Sequence, residues 1–159
     1  MAMTEEQAQS PNLRDVRVAL RMERDLTIQT RGMITKQLRL SASPHQVYET
    51  LLDAKKHASL TTAAAKITPT MGGDFSALDG HLTGLLSELL VDRQITISCR
   101  LNEEAWPKHH LSTATFMFKP DGDGCRLSFY QQEVPADLHD RMTEVWEKHY
   151  WSRLPTALA

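Results

Sequence analysis

Apolar residues along this chain repeat with two different periods, and the switch between them sets out the elements. Leu38 and Leu40 alternate with Gln37 and Arg39, which predicts a short strand. Ser43-Pro44-His45-Gln46 then reads as a helix entry. The Ser43 side chain can cap free amides, Pro44 suits the first helical position, and Gln46 can reach back to complete a capping box. Val47, Tyr48, Leu51 and Leu52 form an apolar stripe at helical spacing. That helix is expected to end near Asp53, with Ala54 to Leu60 as a second short one.

A run of strands follows. Phe75 and Ala77 alternate with Asp74 and Ser76 after the Gly72-Gly73 opening. Asp79-Gly80 predicts a two-residue hairpin, because both turn positions need positive φ. His81 to Val91 is the returning strand, with Gly84 marking a bulge. Beyond the Asp92-Arg93 turn, Ile95, Ile97, Cys99 and Leu101 share one face, and Thr96, Ser98 and Arg100 the other. A loop carrying Trp106-Pro107 leads to a strand from Leu111 to Phe118. After the turn Pro120-Asp121-Gly122-Asp123-Gly124, the residues Cys125, Leu127 and Phe129 alternate with Arg126, Ser128 and Tyr130. Val134-Pro135 ends the sheet. Helical period returns in Leu138, Met142, Val145, His149 and Leu154, with Trp146 and Tyr150 alongside and Pro155 limiting the end.

This order predicts an α+β fold. An antiparallel meander has one apolar face that something must cover. The terminal helix is the long amphipathic element available, so the sheet should curl around it. Residues 1–31 differ from this body. Met1 to Asn12 is polar and reads as a flexible tail. Over Leu13 to Arg31, helical spacing of Arg14, Arg17, Arg21 and Arg24 competes with a strand-like alternation of Val16, Val18, Leu20 and Met22. Period alone does not separate the two. We divide the chain into an extension, 1–31, and a domain, 32–159.

Composition narrows the classes. The 159 residues, 41% hydrophobic and 24% charged, suit one globular domain rather than a disordered, collagen-like or coiled-coil chain. No apolar run approaches the ~18 residues that cross a bilayer, so membrane insertion is not expected. The net charge is −2, which argues against broad nucleic-acid binding. The five arginines of residues 1–31 are matched by Glu5, Glu6, Asp15, Glu23 and Asp25, so the −2 sits on the domain. Met1 to Ser10 has no apolar core of a secretory signal. With only Cys99 and Cys125, a reducing cytosol is the expected setting.

Chemical motifs are sparse. His109-His110 would point to opposite faces of a strand, and no HxxxH, HExxH or CxxC spacing occurs, so no metal or cofactor is expected. There is no GxSxG elbow. Cys99 falls on an alternating apolar face and reads as a buried structural thiol. Asp121-Gly122-Asp123-Gly124 lacks the distal glutamate of a calcium loop. The sheet wrapped on a helix can leave an apolar hollow. Phe75, Leu82, Ile97 and Phe116 or Met117 are its candidate lining, and Trp106, Trp146, Tyr150 and Trp151 are candidates to line or close it.

The ordered pieces also resemble a known family. These are Val47-Tyr48 with Leu52-Asp53; Gly72-Gly73-Asp74-Phe75; Asp79-Gly80 with Thr83-Gly84; Glu88-Leu89; Ile95 to Arg100; Trp106-Pro107 with Ser112-Thr113; Val134-Pro135; and Trp146 with His149-Tyr150-Trp151. Over roughly residues 33–158 the chain resembles the homologues of the activator of heat-shock protein 90 ATPase, in their C-terminal-type domain, within the START-like, helix-grip superfamily. Cys99 stands where that family often has Trp, and the separate N-terminal domain of full-length activators is absent. The resemblance implies a helix-grip fold and a non-enzymatic, cytoplasmic protein with a role in the stress response and heat-shock protein 90 as partner. Lys55, Lys56, Arg93 and Arg100 are the candidate contact residues. The alternatives are a module for a small hydrophobic ligand and an enzyme of the cyclase or dehydratase kind found elsewhere in the superfamily.

Overall fold

The computed structural model describes residues 28–159. The pattern read over Leu13 to Thr27 and the polar tail before it lie outside the described residues. Strand β1 (Ile34–Leu40) leads into α1 (Pro44–Leu52) and α2 (Ala54–Thr61). The strands β2 (Lys66–Ile67), β3 (Asp74–Ala77), β4 (Leu82–Leu90), β5 (Gln94–Leu101), β6 (Ser112–Asp121) and β7 (Gly124–Gln132) then run in sequence. They form one antiparallel sheet in the order β1-β7-β6-β5-β4-β3-β2. The meander walks back from β2 to β7, and α1 and α2 carry the chain from one sheet edge to the other.

The helix entry is as the sequence predicts. The Gln46 amide donates to Ser43 Oγ at 3.2 Å, and the Ser43 amide donates to Gln46 Oε1 at 2.9 Å. Asp53 then does double duty. It ends α1, and its carboxylate accepts from the Lys56 amide at 2.9 Å to cap α2.

Three local expectations are corrected. The Asp79-Gly80 turn is a four-residue loop, because Ala77 pairs with Leu82. Leu78, Asp79 and Gly80 all hold positive φ, and Asp79 Oδ1 accepts from the Ala64 amide at 2.8 Å. That tie to the segment after α2 fixes a wider loop than the dipeptide alone suggests. The bulge in β4 falls at Ser87 rather than Gly84. Gly84 serves close approach instead: a Cβ there would lie 1.9 Å from the Ser98 carbonyl oxygen.

The third correction concerns the terminal helix, which is not one regular element. A 3₁₀ turn (Ala136–Leu138) leads into α3 (His139–Trp146), a π-helical turn (Glu147–Trp151) and α4 (Leu154–Ala157). The wider π turn brings residues five apart onto one face. Trp146 and Trp151 therefore both point inward and stack, with centroids 5.8 Å apart and planes 23° from parallel. A regular helix would rotate them about 140° from each other.

The β1–β7 ladder is longer than its strands. Ile34 opposes Gln131, and Thr30 forms a bridge with Pro135 in the same register. The Gln29 carbonyl accepts from the Ala136 amide at 2.7 Å, and Arg31 pairs with Asp140 at 3.1 Å. Residues 29–31 thus lie against the sheet edge and the start of α3.

Candidate functional site

The space between sheet and helix is the place the fold offers for a ligand. Packing fills it. Phe116 and Phe129 on neighbouring strands are 5.0 Å apart, and Trp146 sits 5.7 Å from Phe116 and 4.8 Å from Phe129. Trp151 closes the cluster 4.9 Å from Phe129. What remains is a void of about 10 Å³. That is room for one water at most.

The candidates distribute unevenly around this void. Phe75, Ile97, Phe116, Trp146 and Tyr150 line it. Leu82 is fully buried in the same core but does not reach it. Trp106 is buried elsewhere, its indole N–H donating to the His110 carbonyl at 2.8 Å. Met117 follows Phe116 on a strand and so points to the opposite face, where it is 42% exposed. It is no part of the interior.

Sequence reasoning named Tyr150 but missed its polar partner in this wall, His57. His57 on α2 is 1% exposed. Its Nδ1 lies 2.9 Å from the Leu51 carbonyl, and its Nε2 lies 2.7 Å from the Tyr150 hydroxyl. A carbonyl only accepts, so Nδ1 carries the proton and Nε2 accepts from Tyr150. Burial pushes the His57 imidazole below its ordinary value and pushes the Tyr150 phenol well up. Both groups are neutral and satisfied. The available signal was helical spacing, since His57 and Leu60 lie three apart on the buried face of α2.

A second buried network runs behind the aromatics. Trp146 Nε1 donates to Gln131 Oε1 at 2.7 Å, and Gln131 Nε2 donates to Ser112 Oγ at 2.9 Å. Ser112 Oγ donates to the Cys99 carbonyl at 2.8 Å. Burial pushes the Cys99 thiol up to about 12, despite a contact from Ser112 that acts the other way. The thiolate needed for nucleophilic chemistry is therefore scarce at neutral pH. Among the described residues no group of three His, Cys, Asp or Glu is placed to hold a metal ion, and no helix is long and apolar enough to cross a membrane.

The four candidate contact cations are not all brought together. Arg93 and Arg100 stand toward opposite ends of β5, about 23 Å apart at strand rise. Arg100 is committed internally, donating to the Pro107 carbonyl at 3.1 Å and so holding the Trp106 loop. Lys55 and Lys56 lie on α2, where Lys56 pairs with Glu49 at 2.9 Å.

Residues 41–159 match the family described as Activator of Hsp90 ATPase homolog 1-like protein. The chain belongs to this family. A curated relative is the Activator of 90 kDa heat shock protein ATPase homolog 1 of Mus musculus, 25% identical over 118 residues. That alignment takes in 74% of this chain but 34% of the relative, so the chain spans about a third of the relative's length. Solved structures share the fold. An HSP90 activator from Plasmodium falciparum superposes with a TM-score of 0.72 at 17% identity, covering 79% of this chain and 95% of that one. CalU16 from Micromonospora echinospora gives 0.67 at 20% identity, covering 80% and 76%. The curved antiparallel sheet closed by a C-terminal helix is thus the family's START-like, helix-grip architecture, as the resemblance implied.

Proposed function

We propose that this domain is a non-enzymatic accessory of heat-shock protein 90, acting through its surface in a cytoplasmic setting. The observation that carries this reading is the filled interior. A void of about 10 Å³ holds no organic ligand or substrate. Its two polar groups, His57 and Tyr150, are spent on each other and on the Leu51 carbonyl. Binding a small hydrophobic molecule there would require expelling aromatic side chains from a close-packed core.

The outside offers protein-binding material. Cross-strand pairs share a face, and no helix covers the outer side of the sheet among the described residues. Met33, Leu85, Leu90 and Met117 are each at least 42% exposed. Family membership and the named activity of the relatives point to the chaperone as the partner.

The test is a pull-down and ATPase assay with heat-shock protein 90 from the same organism. Binding at micromolar concentrations is expected. No binding at tens of micromolar overturns the reading. A ligand panel followed by native mass spectrometry is the complementary measurement: a retained small molecule at stoichiometric occupancy would favour the ligand-binding alternative.

A further inference from the structure

The two edges of the sheet are finished differently. At one edge, β2 is two residues long and offers little to a passing chain. At the other, β1 runs for seven residues with no proline, no glycine and no break in its register to β7. Thr30 continues that register through its bridge to Pro135. Among the described residues no strand pairs with the far side of β1. A strand turns part of its amides and carbonyls to each side, so this edge presents a row of them without a strand partner.

The outer face beside this edge carries an apolar side chain with nothing over it. Thr35 lies opposite Tyr130 and Gln37 opposite Ser128, so these four share the outer face. Met33 joins them, since its sulfur accepts from the Gln132 side-chain amide at 3.6 Å. Together they line an open groove of about 740 Å³. Met33 itself is 55% exposed. The chain reaches this edge from residues outside the described part, which begins at Ile28. In that stretch Val16, Val18, Leu20 and Met22 alternate with Arg17, Ala19 and Arg21. Period alone does not separate helix from strand there, but the open edge and the bare Met33 beside it select the strand.

We propose that residues 12–22 turn back and pair antiparallel with the free edge of β1 and the residues before it, as an added strand. The apolar pattern fixes the register. A four-residue loop, Glu23 to Leu26, sets Met22 opposite Thr27, Val16 opposite Met33 and Arg14 opposite Thr35. The apolar set then falls on the outer face and covers Met33 and the groove. A loop one residue longer or shorter would turn that set to the other face, beside Lys36, whose ammonium is held by Glu147 at 3.4 Å. Four-residue hairpin loops are common, and Asp25 suits a turn. Pro11 comes opposite Leu38, where its missing amide ends the ladder. The added strand closes the edge against pairing with other chains. It does not depend on the chaperone reading.

The experiment is amide hydrogen exchange read by NMR on the full chain, with cross-strand Overhauser contacts as a second readout. Two results are expected of the parent: slow exchange at the amides of residues 33–36 that face away from β7, and contacts of Val16 with Met33 and of Arg14 with Thr35. Val18→Pro removes a ladder donor and should speed exchange at those amides at least about tenfold through local opening. Exchange in β5 and β6 should stay as in the parent, which shows that the variant is folded. The Overhauser contacts are read on the parent alone and test the pairing whatever the variant does. Unprotected free-edge amides in the parent, protection indifferent to Val18→Pro, or a helical contact pattern over residues 13–22 would each overturn the proposal. So would protection that grows with protein concentration, which would put a second copy of the chain on the edge.

Discussion

The Tyr150 hydroxyl donates to Nε2 of His57 across 2.7 Å, joining side chains 93 positions apart. This bond ties α2, the element after the first strand, to the π turn near the end of the chain. The rings also meet edge-on at 5.4 Å. Tyr150→Phe removes the donor and leaves Nε2 buried and unpaired. An unsatisfied buried acceptor costs about 1–3 kcal/mol. Urea unfolding should show a loss in that range with an unchanged slope. A loss below about 0.5 kcal/mol would mean that the bond is not made.

Acid should destabilise the domain through the same residue. Burial lowers the His57 pKa below the 6.5 of an unfolded histidine. The unfolded chain then binds the proton first, so stability is full above pH 6.5 and declines as the pH falls below it. His149 shifts in the same direction and adds to the slope. Melting temperatures between pH 8 and pH 5 should fall on the acid side only. A His57→Gln variant should flatten the curve, and an unaltered curve would contradict the assignment.

Gly84 lies where two strands press together. A Cβ there would sit 1.9 Å from the Ser98 carbonyl oxygen and 2.8 Å from the Cys99 Cα, both backbone atoms that cannot swing aside. Gly84→Ala should therefore cost about 1–3 kcal/mol, the range for overpacking. A loss below about 0.5 kcal/mol on urea unfolding of Gly84→Ala would remove the close-approach argument.

Cys99 should be chemically silent while the domain is folded. It is 1% exposed and its thiol is pushed up to about 12. Burial raises Cys125 as well. At pH 8 a thiol-specific reagent should modify Cys99 only at the rate of unfolding, and in urea at the rate of a free thiol. Rapid labelling of the native protein at this position would show that the strand opens.

Much of the architecture was legible because each of its signals is local. Capping at Ser43, the alternation of Ile95, Ile97, Cys99 and Leu101, and the stop at Val134-Pro135 depend on neighbours a few residues away. So did the inward set Phe75, Ile97 and Phe116, since strand alternation assigns a face once the core side is known. Met117 was misplaced by the same rule, because alternation forbids adjacent residues from sharing the interior.

What the sequence determined by itself was the element order and, through it, one sheet wrapped on a terminal helix. The tertiary structure decided the rest. It decided that Asp79 widens its turn, since the Ala64 amide that holds it arrives from another element. It decided that the helix takes a π turn, since only packing against Phe116 and Phe129 rewards bringing Trp146 and Trp151 together. It decided that the interior is solid, and that His81, Arg141, Lys148 and His149 meet at one cleft while Arg93 and Arg100 stand apart. Volume and convergence arise from contacts between residues far apart in the chain, and a period of two or of 3.6 carries no information about distance across a fold.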